Sequence, residues 1–410
     1  MTLPALSRRR FLAALGLAGA GAFLGAPLGC SAPQPAAPAQ SLDRMPTRPL
    51  GHTGIQVPIL SFGCVDLQPG SRILLRRAMD LGATLWETGA SYGGGASERA
   101  IGEYLQAFPR DRDRLLLLTK STAFDPDGLE RELAGSLERL GVDRVDFYLL
   151  HGVDDAEVFT PELGRWVEQA RSAGRFRAFG LATHKNMAPV LTAAAEHPWI
   201  DLAMVACSYR HLQEEPMRRA LDACQQAGVG LIAMKTQGLA SLPTDPQAEG
   251  KLLERFVAQG RSLAQARLQA VWAHPAIACI CSKMPNVAIL EENTAAAKAP
   301  TALGAAELEA LREHALATAP AACSGCGVCQ RAAGVPGAEI MRALMYTHGY
   351  GEPQRARALL GNLPSISALE PAALAQASGA CPRRVPLAQA AQRAAAQLTP
   401  ESTQWPAITT

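Results

Sequence analysis

From about residue 58 to residue 282, short apolar runs of strand length alternate with longer stretches in which apolar residues recur every three or four positions. The runs predict strands at Pro58–Gly63, Thr84–Glu87, Leu115–Lys120, Val145–His151, Arg177–Thr183, Leu202–Cys207, Val229–Met234 and Ile277–Ser282. The stretches between them predict helices, as in Leu129-Leu133-Leu137-Leu140 and Met217-Leu221-Cys224. Before the first run, Gly51-His52-Thr53-Gly54 reads as a turn. After the last come two further helices, Val287–Ala299 and Ala305–Ala317. Eight β–α pairs in series predict an α/β fold, a (β/α)8 TIM barrel. A doubly wound sheet would want a glycine-rich phosphate turn after its first strand, and Gly63-Cys64-Val65-Asp66 is not one.

The polar residues that end these runs carry the chemistry. Glu87, Lys120 and His151 close the second, third and fourth strands, and Tyr92 follows Glu87 by five residues. In such a barrel all C-terminal strand ends open into one mouth. An acid, a phenol, an amine and an imidazole gathered there form a proton-donating site. A phenol alone is a weak acid, with an ordinary pKa of about 10, and an adjacent ammonium is expected to lower it. Taken singly, each residue reads as an ordinary solvated or satisfied strand end. Their joint spacing on consecutive strands makes them a candidate catalytic set.

Charge changes the picture little. The formal net charge is +2, and no basic face suggests nucleic acid as a partner. Lysine is scarce, with six in 410 residues, so Lys120, Lys235 and Lys283 at strand ends stand out. The first residues read as an address. Ser7-Arg8-Arg9-Arg10-Phe11-Leu12 followed by an Ala/Gly/Leu stretch predicts a signal peptide of the twin-arginine type over 1–30. A Pro/Ala-rich linker over 31–47 follows. Lipid attachment at Cys30, which would anchor the protein to a membrane surface, and cleavage near Ala37-Pro38-Ala39 both stay open. Either way the expected location is periplasmic or otherwise extracytoplasmic.

The segment Trp86-Glu87-Thr88-Gly89-Ala90-Ser91-Tyr92-Gly93-Gly94-Gly95-Ala96-Ser97-Glu98 resembles the aldo/keto reductase signature. So do Leu118-Thr119-Lys120-Ser121, Asp146-Phe147-Tyr148-Leu149-Leu150-His151 and Phe179-Gly180-Leu181, in the family's order. The resemblance runs from about residue 48 to residue 300 and assigns the barrel to 48–318. It implies NADP(H) as cofactor, a small carbonyl or alcohol as substrate, and a catalytic Asp/Tyr/Lys/His set that passes a proton to the carbonyl oxygen as hydride reaches its carbon, with Tyr92 as acid/base, Lys120 tuning it, Glu87 holding Lys120 and His151 orienting the carbonyl. Glu87 stands where the family has Asp. For the nucleotide the resemblance implies Lys283 on the 2′-phosphate, Glu292 and Asn293 at the adenosine end, and Met234 and Lys235 near nicotinamide or pyrophosphate. It adds Thr183 and Ser208 for the carboxamide. The arginine many members carry four residues before the Asn is Ile289 here.

Past Pro320 the composition turns Cys- and Gly-rich, then Ala-rich to about residue 398, with a tail over 399–410. The stretch resembles a ferredoxin-like extension found on one branch of the family, and 319–398 is expected to be a small, mostly helical iron–sulfur domain. Bacterial ferredoxin runs read C-x₂-C-x₂-C-x₃-C-P, the fourth cysteine serving the other cluster. Here Cys323, Cys326 and Cys329 survive from one run, with Ala333 in the fourth place. Cys381-Pro382 survives from a second, with Pro371, Leu374 and Ala377 before it. The four survivors are the ligands of one [4Fe–4S] cluster. A zinc site would more often show paired C-x₂-C knuckles, and disulfides suit an exported protein, but twin-arginine substrates fold before export.

Two functions follow from these readings. One is an exported, NADP-dependent oxidoreductase carrying a single cluster. Free nicotinamide nucleotide is scarce outside the cytoplasm, so its nucleotide would have to be tightly held. A cluster moves one electron and a nicotinamide a hydride, which leaves a structural role for the cluster in a tail poor in large apolar residues. The other is a non-catalytic or electron-transfer protein on a reductase scaffold, with a redox partner protein.

Overall fold

The computed structural model describes residues 44–299, 302–363 and 366–398. The expected signal peptide, the linker up to residue 43 and the tail over 399–410 lie outside the described residues.

Eight parallel strands close into a barrel: β3 (Leu60–Gly63), β4 (Leu85–Glu87), β5 (Leu116–Ser121), β6 (Val145–His151), β7 (Phe176–Thr183), β8 (Leu202–Ala206), β9 (Gly230–Met234) and β10 (Ile277–Lys283). They pair in chain order, and β10 returns to β3 with Lys283 opposite Gly63. The TIM barrel expected from the alternating pattern is therefore the fold. The first strand starts later than expected. Pro58 ends a separate hairpin, β1 (Thr47–Pro49) with β2 (Gln56–Pro58), whose turn is the Gly51–Gly54 segment. The Ile59 amide bonds back to Pro46, and the chain enters the barrel only after it.

The hairpin has a structural task. Its Leu50, Ile55 and Val57 join the inward residues of the barrel, among them Leu85, Leu118, Phe147, Leu149 and Met204, in one apolar cluster. Arg48 fastens it, donating to the Ile277 and Trp272 carbonyls at 2.7 and 2.8 Å. One end of the barrel is thus stoppered, leaving the C-terminal strand ends for chemistry.

The outer helices follow the periodicity. Pro126–Leu140 starts at an N-cap, Asp125, whose carboxylate accepts from the Gly128 amide, and stops at Gly141 in the left-handed region (φ 66°). Such a cap stabilises a helix by about 1 kcal/mol. Leu129, Leu133 and Leu140 are fully buried against the sheet, so truncating one costs about 2–5 kcal/mol.

The C-terminal segment is all helical among the described residues: Val328–Ala333, Gly337–His348, Pro353–Gly361, Pro371–Ala380 and Leu387–Leu398. It is less apolar-poor than the sequence suggests. Val335, Ile340, Met341, Leu344, Leu360, Leu374, Val385 and Leu387 form a cluster of their own with interleaved alanines. Alanine allows the helices to approach closely, so few large side chains fill the core. This segment packs across the barrel mouth: Ser241 and Leu242 amides bond to Ala321, Lys185 pairs with Glu339 at 2.9 Å, and Lys283 pairs with Glu352.

Candidate active site and cysteine cavity

Tyr92, Lys120 and His151 line one cavity of about 920 Å³ at the barrel mouth, within the range of small-molecule sites. Glu87 lies at its floor, buried. The four side chains expected from the strand ends do converge.

Local backbone explains how Tyr92 gets there. It opens a short 3-10 turn, Tyr92–Gly95, in which Gly93, Gly94 and Gly95 all have positive φ (57°, 59° and 84°). Only glycine takes three such conformations in a row at little cost. The turn folds the phenol back over the strand ends.

Glu87 is the hub. Its Oε1 accepts from the Lys120 ammonium and, at 2.9 Å, from the Tyr92 hydroxyl. Its Oε2 faces the Cys281 thiol at 3.5 Å. Lys120 also donates to the Thr88 carbonyl and, at 3.1 Å, to the Tyr92 oxygen. The Lys120–Glu87 pair is almost wholly dry, with side chains 1% and 4% exposed. A buried pair of this kind contributes little net stability but is costly to break from one side.

The electrostatics correct one expectation. Lys120 does not make Tyr92 more acidic overall. Burial pushes the phenol well above its usual value, and the Glu87 carboxylate pushes it the same way. Glutamate is one methylene longer than aspartate, and its carboxylate touches the phenol as well as the ammonium. Tyr92 is therefore protonated, with its proton directed at Glu87.

His151 behaves as a neutral group. Burial lowers its pKa to about 4, and the Lys120 charge adds to this. Its Nδ1 lies 3.4 Å from the Ser91 hydroxyl, and its ring meets Tyr92 edge-on with centroids 5.6 Å apart. A neutral imidazole at this place can donate one hydrogen bond to a substrate oxygen without adding charge.

The residues expected to hold a nucleotide separate into three groups. Met234, Lys235 and Lys283 line the mouth cavity. Lys283 is clasped between Asp66 and Glu352; burial opposes its charge, but these two carboxylates raise its pKa on balance. Ser208 lines an adjoining cavity and bonds His211 Nδ1 at 2.9 Å. The remaining three do not line the mouth cavity. The Thr183 hydroxyl is buried and donates to the Lys185 carbonyl at 3.0 Å. The Asn293 amide donates to Ser282 at 3.0 Å, steadying the end of β10. Glu292 accepts from the Ser262 hydroxyl at 2.6 Å, tying two outer helices together. In this arrangement Thr183, Asn293 and Glu292 are each hydrogen-bonded to a neighbouring protein group.

Sequence reasoning missed the fourth wall. Tyr346, Glu352 and Arg355, from the C-terminal segment, face Tyr92 across the cavity. The Arg355 guanidinium stacks over the Tyr346 ring at 4.5 Å and pairs with Glu352 at 3.2 Å. The only signal was the Glu352/Arg355 spacing at the start of a helix, which names no partner.

Cys323, Cys326, Cys329 and Cys381 surround a third, small cavity. All cysteines among the described residues are free thiols. Gly325 and Gly327, both with φ of 69°, bend the loop around it. Gly337 presses so close that an added Cβ would lie 2.7 Å from the Cys329 sulfur. Among the described residues no three His, Cys, Asp or Glu side chains gather tightly enough for a single metal ion. The four thiols ring a space and do not meet at a point.

Comparisons with known proteins agree with this architecture. Residues 71–314, more than half of the chain, match the Aldo/keto reductase family. The D-threo-aldose 1-dehydrogenase of a Pseudomonas species is 28% identical over 237 residues, 48% of this chain and 71% of that protein. The aldo-keto reductase yakc [NADP(+)] of Schizosaccharomyces pombe is 30% identical over 218 residues, 47% of this chain and 62% of that one. Among solved structures, the holo form of aldo-keto reductase AKR11C1 from Bacillus halodurans superposes with a TM-score of 0.56 at 22% identity, covering 66% of this chain and 96% of its own. With a closed parallel barrel, a convergent Glu/Tyr/Lys/His mouth and a match across most of the barrel, the chain belongs to the aldo/keto reductase family.

Proposed function

We propose that the protein is an NADP-dependent oxidoreductase that interconverts a small carbonyl compound and its alcohol. The observation that carries this is the triangle at the cavity floor, in which the Tyr92 hydroxyl sits 3.1 Å from the Lys120 ammonium and 2.9 Å from the Glu87 carboxylate. Two relatives bear names that specify an aldose and NADP(+), which supports a hydroxylated carbonyl substrate and that nucleotide.

A bound nicotinamide supplies or accepts the hydride. This chain's residues do the rest. Tyr92 delivers the proton to the carbonyl oxygen in reduction and removes it in oxidation. Lys120 stabilises the phenolate left behind, and Glu87 keeps Lys120 charged and fixed. Neutral His151 donates a hydrogen bond to the same oxygen. Lys283 and Lys235 offer positive charge to the nucleotide's phosphates, provided Lys283 is released from Glu352. The C-terminal wall over the mouth fits a nucleotide that stays bound through many turnovers, as an extracytoplasmic enzyme needs.

We further propose one [4Fe–4S] cluster on Cys323, Cys326, Cys329 and Cys381, with 319–398 as its domain and 48–318 as the barrel. A ring of four free thiols around a cavity suits a polynuclear cluster better than one zinc ion. Export through the twin-arginine route rests on the leader sequence alone. The deciding test of the hydride reading is Tyr92→Phe in full-length protein. Turnover with NADPH and short aldoses should fall by about 10²–10⁴-fold while NADPH fluorescence shows unchanged binding. Undiminished turnover would remove Tyr92 from the chemistry.

A further inference from the structure

Between the barrel mouth and the C-terminal segment lies a separate cavity of about 70 Å³, where roughly 10–15 Å³ suffices for one water. Its walls carry five cationic side chains, Lys185, Arg210, Lys235, Arg342 and Arg383, against one carboxylate, Glu339, and the Cys323 sulfur of the proposed cluster site. Two of the five are neutralised nearby. Lys185 pairs with Glu339 and Asp154, and Arg383 with Glu214. The other three are not. Among the described residues no carboxylate lies within ion-pairing distance of Arg210, Lys235 or Arg342.

The unmet demand is visible atom by atom. Arg210 is 2% exposed; its Nε donates to the Gly238 carbonyl at 2.7 Å and one terminal nitrogen to Thr318, but its Nη2 is buried with no partner among the described residues. Arg342 Nε is likewise buried and unpartnered. Among the described residues the Lys235 ammonium finds only the Met234 sulfur, at 3.9 Å. Its backbone is in the left-handed region, φ 54°, a costly conformation for a side-chain-bearing residue that persists only where the surrounding structure holds it. Buried donors without acceptors are expensive, and unpaired buried cations more so.

We propose that this cavity is a composite oxyanion site, in which Arg342 from the C-terminal segment joins Lys235 and Arg210 from the barrel to grip a phosphate-bearing group. Guanidinium forks and an ammonium facing one space are the donor set such a group requires. The group has two chemical sources, the diphosphate of a dinucleotide or a phosphorylated substrate. Lys235 and His184 line both this cavity and the catalytic one, so the two adjoin. The site stands on its own charge balance; only its assignment to the nucleotide rests on the hydride reading above.

The test uses full-length protein, inorganic pyrophosphate and NADPH, each titrated by calorimetry. Wild type should bind pyrophosphate. Arg342→Gln should weaken it by about tenfold or more, Lys235→Gln similarly, and Arg342→Lys much less. Thermal unfolding of each variant identifies any that fails to fold. NADPH that displaces pyrophosphate assigns the site to the nucleotide, whereas NADPH that binds beside it assigns the site to a phosphorylated substrate. Pyrophosphate binding without any NADPH binding keeps the site and ends the hydride reading. Absence of pyrophosphate binding, or equal affinity in wild type, Arg342→Gln and Lys235→Gln, overturns the proposal.

Discussion

The Tyr92 hydroxyl gives its proton to Glu87 at 2.9 Å while it accepts from Lys120 at 3.1 Å, so the proposed acid is tied to a carboxylate. An aspartate at position 87 would still reach Lys120 but would pull back from the phenol. Glu87→Asp should therefore lower the Tyr92 pKa, since the side chain that helps burial raise it retreats. The expected outcome is an alkaline limb of the kcat profile displaced to lower pH. An unmoved limb would show that the Glu87 contact does not govern the proton. Glu87→Gln acts differently. It strands the buried Lys120 charge, and unfolding in urea should show a loss of about 3–5 kcal/mol.

His151 sets the acid side. Burial, then Lys120, holds its pKa near 4 against an ordinary value of 6.5. The imidazole is thus neutral through the usual assay range, and kcat should show no inflection near 6.5. The sign for stability follows from proton counts. Between pH 6.5 and about 4 the unfolded chain binds a proton that the folded one refuses, so stability falls as pH falls through that window. Titration of His151 by NMR gives the pKa directly; a midpoint near 6.5 would contradict the burial argument.

The strand ends were legible because an apolar run that stops at a polar residue has one meaning in a closed parallel barrel: that side chain stands at the rim. Hence Glu87, Lys120 and His151 were found from pattern. Their mutual contacts were not, because whether a carboxylate reaches a phenol depends on one methylene and a backbone angle. Periodicity also shows that Gly337–His348 has a buried face, yet it cannot say that the face lies over the mouth. Lys283 meets Glu352 across 69 residues and Asp66 across 217, and no local signal encodes either pairing. The compact tail core was hidden for a simpler reason. Alanine counts as weakly apolar one residue at a time, but it permits close helix packing.

Lys283 cannot serve a nucleotide 2′-phosphate while Glu352 and Asp66 hold it. Glu352→Gln removes one competitor and leaves the fold's hydrogen bonding largely in place. NADPH should bind several-fold more tightly to this variant, because a partly exposed pair is worth up to about 1 kcal/mol. Lys283→Ala should erase any preference for NADPH over NADH, the point charge being gone. Fluorescence titrations with both nucleotides check the pair. Equal affinities in wild type and Glu352→Gln would mean that the latch does not compete with the ligand.

Gly337 offers a test of the cysteine cavity that leaves every thiol in place. A Cβ there would sit 2.7 Å from the Cys329 sulfur and 3.0 Å from a Leu387 methyl. Leu387 belongs to the packed core of the C-terminal segment, so it cannot yield without opening that core, and the sulfur must move instead. A ligand displaced in this way no longer matches a four-thiolate cage. Gly337→Ala, purified without oxygen, should therefore lose most of its iron and the broad visible absorption of a cluster, as Cys381→Ala should, while Cys224→Ala, a buried thiol outside the cavity, should keep both. Iron analysis and absorbance settle the comparison. Iron retained in full by Gly337→Ala and Cys381→Ala alike would mean that these four cysteines do not hold it.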